Sequence, residues 1–125
     1  MEEQILKEIH GVFNGKEMVS YDDRIYPVPP NYASVTKLVE GDELNFVISN
    51  ITGSYYKQCV KVPRKICTGM AVERDGSLMI ESEGNYYKVL RATMTYYDIQ
   101  EGDEVFIVIP KEGISEWAAV EAVIK

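Results

Sequence analysis

The chain has a single histidine, His10, and two cysteines, Cys59 and Cys67. A structural zinc site draws on about four nitrogen or sulfur ligands, so this supply all but excludes one, and no metal or other cofactor is expected. With no CxxC spacing, the two cysteines read as buried free thiols. No apolar run approaches the roughly 20 residues that a membrane-spanning helix requires. The opening Met1-Glu2-Glu3-Gln4 lacks the basic-then-apolar pattern of a signal peptide, so the expected setting is cytoplasmic. Bases are scarce too: 13 Lys and Arg against 20 Asp and Glu leave a net charge of −7, which repels a polyanion and makes DNA a poor partner. The nine glycines are scattered among turns and form no phosphate-cradling loop.

What is present suffices for one globular domain, with 125 residues, 46% of them hydrophobic. Sliding the sequence by 61 lays residues 5–64 on 66–125 without a gap, with thirteen identities. The densest are Glu40-Gly41-Asp42-Glu43 against Glu101-Gly102-Asp103-Glu104, each leading into a β-rich run. The pattern implies a tandem duplication within one domain spanning residues 1–125.

Each half reads the same way. An apolar run (Ile5 to Phe13 in the first half) meets Asn14-Gly15 or Asp75-Gly76, both type I′ hairpin signals. Strands return at Glu17 to Ser20 and Leu78 to Glu81, then again at Ile25 to Val28 and Tyr86 to Leu90. Pro30 suits the first turn of a short helix closed by Leu38, whereas Ala92 to Ile99 has weaker helix propensity and leaves open a single turn or an irregular loop. Strands follow both Gly-Asp pairs. For the last element, Tyr55 to Val62 predicts a strand; its counterpart from Trp117 to Ile124 has helix-forming residues, but the repeat favours a strand. The expected fold is mainly β: a single pseudo-twofold β-barrel of six to eight strands with one or two short helices.

A short helix or loop, an apolar residue, Gly-Asp and then a strand resembles the GD box of cradle-loop β-barrels, which include double-psi barrels and AbrB-type swapped-hairpin regulators. The resemblance implies that Gly41 and Gly102 make a turn and that Asp42 and Asp103 tie backbone amides across it. Phrases such as Tyr26-Pro27-Val28-Pro29-Pro30-Asn31-Tyr32 also resemble an uncharacterised family of small bacterial proteins. AbrB-type regulators present bases to DNA from the strand–helix region, where this chain offers only Lys37, Lys88 and Arg91.

No catalytic constellation emerges. A Ser–His–Asp or Cys–His arrangement would have to use His10, which reads as a partly buried structural residue. Two features point to binding instead. The segment Lys57, Lys61, Arg64, Lys65 holds four bases and no acid, and reads either as a lysine-protected strand edge or as a partner site. If residues 56–62 are a strand, Lys57 and Lys61 share one face. Nine tyrosines, with pairs at Tyr55-Tyr56, Tyr86-Tyr87 and Tyr96-Tyr97, cover barrel ends or contact a partner. The sequence therefore predicts a non-enzymatic binding module, a protein-interaction or ribonucleoprotein-associated adaptor, with Lys57, Lys61, Arg64, Lys65, Tyr96 and Tyr97 as binding residues. A protein partner is expected, and RNA binding, if any, would be weak. An AbrB-like nucleic-acid-binding regulator is the alternative, and a small-molecule enzyme on a double-psi barrel the third reading.

Overall fold

The computed structural model describes residues 2–124. The first half runs β1 (Ile5–Phe13), β2 (Glu17–Ser20), β3 (Ile25–Pro27), α1 (Pro30–Thr36), β4 (Glu43–Ser49) and β5 (Gly53–Val60). The second runs β6 (Arg64–Arg74), β7 (Ser77–Ser82), β8 (Asn85–Tyr87), α2 (Arg91–Tyr97), β9 (Glu104–Pro110) and β10 (Ala119–Ile124). The fold is mainly β. Instead of one barrel of six to eight strands, the ladders form two five-stranded antiparallel sheets, β3-β2-β1-β4-β5 and β10-β9-β6-β7-β8. Each half has enough alternating apolar residues to bury a core of its own. One core gathers Phe13, Met18, Val28, Leu38 and Leu44, and the other Ile80, Ile99, Val105, Ile107 and Val120.

The two helices have the same length and the same ending. Each stops on a non-glycine residue in the left-handed region, Lys37 (φ 53°) and Asp98 (φ 51°). The next amides, of Leu38 and Ile99, reach back to Ala33 O and Met94 O, both at 3.0 Å, and carry their buried side chains into the cores. That hydrophobic anchor overrides the weak propensity of residues 92–99, where the helix Arg91–Tyr97 forms in place of a single turn or a loop. The last element is a strand in both halves, since Val120 is needed in the second core.

Strand register shows where the 61-residue offset holds. The helices and the strands after Gly-Asp correspond at 61. Tyr26 stands opposite Met18 and Tyr87 opposite Ile80, so matching the two tyrosines at 61 puts β2 and β7 at 62. The first strand differs. Gly11 stands opposite Leu44, whereas Val105, 61 beyond Leu44, faces Gly69, only 58 beyond Gly11. The two glycines share a reason: a Cβ on either would lie within 2.6–2.8 Å of a carbonyl on the neighbouring strand, Val19 O or Glu81 O. The last strand is shifted the other way. Tyr56 pairs with Phe46, but Ile107, 61 beyond Phe46, pairs with Val120, 64 beyond Tyr56. The gapless alignment is corrected accordingly, and identities such as Gly15/Gly76 and Ser54/Ser115 do not mark equivalent places.

The first shift lengthens one hairpin. The β6–β7 ladder continues past Ala71 through Val72↔Met79 to Arg74↔Ser77 and closes on Asp75 and Gly76, both at positive φ as a type I′ turn requires. The β1–β2 hairpin is shorter and departs from that prediction. Gly15 alone takes a positive φ (104°), and Asn14 Oδ1 accepts from the amides of Lys16 and Glu17 at 3.0 and 2.7 Å. A Cβ on Gly15 would sit 2.3 Å from the Trp117 ring, so the indole of the second half seals this turn. The halves meet further where α1 touches α2, and where Glu40 Oε1 accepts from the amides of Glu116 and Trp117 at 2.9 and 2.8 Å. Lys37 Nζ donates to Val120 O at 2.8 Å across the same boundary. Among the described residues, no helix is long and apolar enough to cross a membrane.

Candidate functional site

The Gly-Asp turns behave differently in the two halves. Gly41 and Gly102 both have positive φ (96° and 93°), which makes the turn cheap for glycine. Asp42 is fully buried. Its carboxylate accepts from Val39 N, Gln58 Nε2 and Val62 N, each at 3.0 Å, and from the Arg64 guanidinium. Asp103 is only partly buried and accepts from Gln100 N at 2.8 Å. Both carboxylates tie backbone amides; Asp42 also fastens the end of β5 to the start of β6.

The basic segment is consequently split. Arg64 is committed to Asp42 and donates a second bond to Lys37 O at 3.2 Å. Lys57 is exposed on the edge strand β5, in a cross-strand row with Asn45 and His10. Asn45 is buried there, and its Oδ1 has no hydrogen-bond partner among the described residues. A register shift between Glu43/Leu44 places a bulge at Cys59, and β5 ends at Val60. The alternation that would put Lys57 and Lys61 on one face is therefore broken, and Lys61 lies outside the strand, exposed. Lys65 is exposed on β6. The expectations for Cys59 and His10 also fail: Cys59 is exposed, Cys67 is half-buried, and the His10 side chain is 55% exposed with Nε2 3.9 Å from Glu8. Cys59 lies on an edge strand, whereas Cys67, on the central strand β6, packs against the second core. Tyr96 and Tyr97 pack edge-to-face at 5.0 Å beside Lys37 and Val35, in a crevice of about 530 Å³ between the helices.

A concavity lined mainly by aromatic rings lies elsewhere. Tyr26, Pro27, Pro29, Tyr32, Phe46, Ser54, Tyr55 and Tyr56 line a cleft of about 490 Å³ between β3 and β5, the two edges of the first sheet. The sheet curls until those edges nearly meet, and the Tyr56 hydroxyl donates to Pro27 O at 2.6 Å. Phe46 is the floor, 4.9 Å from the Tyr56 ring and 6.0 Å from that of Tyr26, and Tyr32 on α1 lies 6.1 Å from Tyr56. Among the described residues, no charged side chain lines the cleft. No family model, curated protein or solved structure matches this chain.

The second half shows why the cleft is open. There Lys88 occupies the place of Pro27, and its backbone bonds directly to the opposite edge. Lys88 N donates to Glu116 O at 2.8 Å, and Ala118 N donates to Lys88 O at 2.9 Å. Pro27 has no N–H and cannot make the first of these bonds. At matched register Ile107, Ala119 and Val120 replace Phe46, Tyr55 and Tyr56. Small aliphatic residues let the edges zip together; large rings and a proline hold them apart.

Burial raises the Tyr32 phenol above its ordinary pKa, and burial followed by the nearby Tyr26 does the same for Tyr56. Both phenols are thus neutral hydrogen-bonding groups at physiological pH. The hydroxyls of Tyr26 and Tyr55 make no hydrogen bond among the described residues. The site can therefore offer ring faces, two hydroxyl groups and no charge. Sequence reasoning noticed the tyrosine pairs but selected Tyr96 and Tyr97. The overlooked signal was five rings between Tyr26 and Tyr56 interleaved with Pro27 and Pro29, against aliphatic residues at the corresponding places of the second half.

Proposed function

We propose that this protein is a non-enzymatic recognition module that holds an extended, proline-containing segment of a partner protein in the aromatic cleft. The supporting observation is the unzipped gap between β3 and β5, floored by Phe46 and walled by four tyrosines, where the second half is closed by backbone bonds. Proline-rich segments dock on aromatic-lined grooves because the polyproline II conformation is already extended and loses little entropy on binding. Tyrosine rings supply large contact area, and their hydroxyls meet the carbonyls that a prolyl segment leaves unpaired. An uncharged lining lets the cleft bind despite the net charge of −7. We also propose that the two sheets descend from a duplicated Gly-Asp-turn unit of the cradle-loop kind, a reading supported by their common element order.

The test is selection from a displayed peptide library. The wild-type protein should enrich proline-containing sequences, and Tyr55→Ala, checked for an unchanged melting transition, should bind them roughly tenfold more weakly. Enrichment of no common sequence, or equal affinity for the variant, would overturn the reading.

A further inference from the structure

We infer that a second groove, in the other half of the molecule, docks an acidic segment carrying large apolar side chains from a partner protein. The extra length of the β6–β7 hairpin builds it: the protruding residues 74–79 wall a depression of about 1050 Å³ that runs past Tyr86 and Lys88 to Arg91, Met94 and Trp117. In a chain of net charge −7, three cations, Arg74, Lys88 and Arg91, gather on this one concave surface against a single lining carboxylate, Asp75. The Arg74 guanidinium lies 3.9 Å over the Tyr86 ring, which fixes its plane while leaving its N–H edge for an oxyanion. Neither Arg74 nor Arg91 makes an ion pair among the described residues. Lys88 lies 5.8 Å from the Trp117 ring centroid and is paired with Glu116, but both side chains are about half exposed, and such a pair exchanges readily for a ligand carboxylate. Between the cations the lining turns apolar, with Leu78, Val89 and Met94.

Charge complementarity thus selects carboxylates for Arg74 and Arg91, and the apolar strip selects an aliphatic or aromatic side chain between them. The chain shows the same combination on its other hairpin, where Trp117, preceded by Glu116, lies against Gly15. That turn is already covered, whereas a Cβ on Gly76 would meet nothing within 4 Å. A polynucleotide is disfavoured because each added phosphate adds repulsion from the acidic remainder of the molecule.

Trp117 is the only tryptophan in the chain and lines the groove, so its emission reports occupancy. The probe is a short synthetic peptide alternating Glu with Phe, compared with one alternating Gln with Phe and with a single-stranded oligouridylate. The expected result is a saturable change in Trp117 emission with the Glu–Phe peptide, weaker by roughly tenfold or more for the Gln–Phe peptide and for Arg74→Glu/Arg91→Glu. Tyr55→Ala should leave it unchanged, which separates this groove from the aromatic cleft. Four outcomes would each overturn the inference: no emission change, equal affinity for both peptides, loss of binding in Tyr55→Ala, or tighter binding of the oligouridylate.

Discussion

Replacing Asp42 by Ala should be among the most damaging single changes in this protein, and far worse than the same change at Asp103. The Asp42 carboxylate has no solvent exposure and accepts from two backbone amides, the Gln58 amide and Arg64. Removing one member of a buried ion pair typically costs about 3–5 kcal/mol, and each buried donor left without an acceptor about 1–3 kcal/mol. These terms share one network and do not add. Arg64 is 23% exposed and recovers some hydration, so a net loss of about 3–4 kcal/mol is expected. For a chain of this size that lowers the melting temperature by roughly 10–15 °C. Asp103→Ala should cost only about 1 kcal/mol, because its carboxylate is partly open to solvent. Urea unfolding followed by circular dichroism measures both. An Asp42→Ala protein within about 1 kcal/mol of the wild type, or an Asp103→Ala protein equally destabilised, would refute the reasoning.

Gly15→Ala should destabilise by about 1–3 kcal/mol, since it places a side chain at positive φ and against the indole, and Trp117 emission should shift with it; a neutral effect would show that the ring does not seal the turn. Tyr32 and Tyr56 have folded pKa values raised above the unfolded value near 10, so the folded state binds more protons above that pH. Stability should be level below pH 10 and fall as pH rises beyond it; ultraviolet titration should show three late phenols, Tyr32, Tyr56 and the exposed Tyr21 that donates to Glu43, with one missing in Tyr56→Phe, and phenols titrating at the ordinary value would contradict this. Lys57→Glu/Lys61→Glu should remove any residual single-stranded RNA binding, already lost at moderate salt because few contacts release few counterions. Binding by wild type and variant alike in fluorescence anisotropy would leave the two lysines as a solvated edge.

The parts legible in the sequence are those governed by local chemistry. Alternation marked the strands, Pro30 the start of α1, and Gly-Asp the two turns, because each depends on neighbours along the chain. Register was not legible. A shift of three residues in β6 and in β10 carries side chains to the opposite face, yet chance identities such as Ile5/Ile66 and Val62/Val123 supported an alignment without gaps. The same limit concealed the bulge at Cys59 that separates Lys57 from Lys61. Arg64 read as a surface base because its acceptor, Asp42, lies 22 residues away in sequence. The aromatic cleft depends on two edges that meet only when the sheet curls, although its rings and prolines were all visible.

The claim that matters most is that the cleft between β3 and β5 is a binding site because Pro27 and the aromatic rings keep it open. Amide and side-chain NMR spectra recorded during titration with a selected proline-containing peptide test it directly. The account predicts shifts concentrated at Tyr26, Val28, Tyr32 and Ser54 to Tyr56, with the zipped counterparts Tyr87 to Leu90 and Ala118 to Val120 unmoved. Shifts centred on the second half, or on Tyr96 and Tyr97, would contradict it.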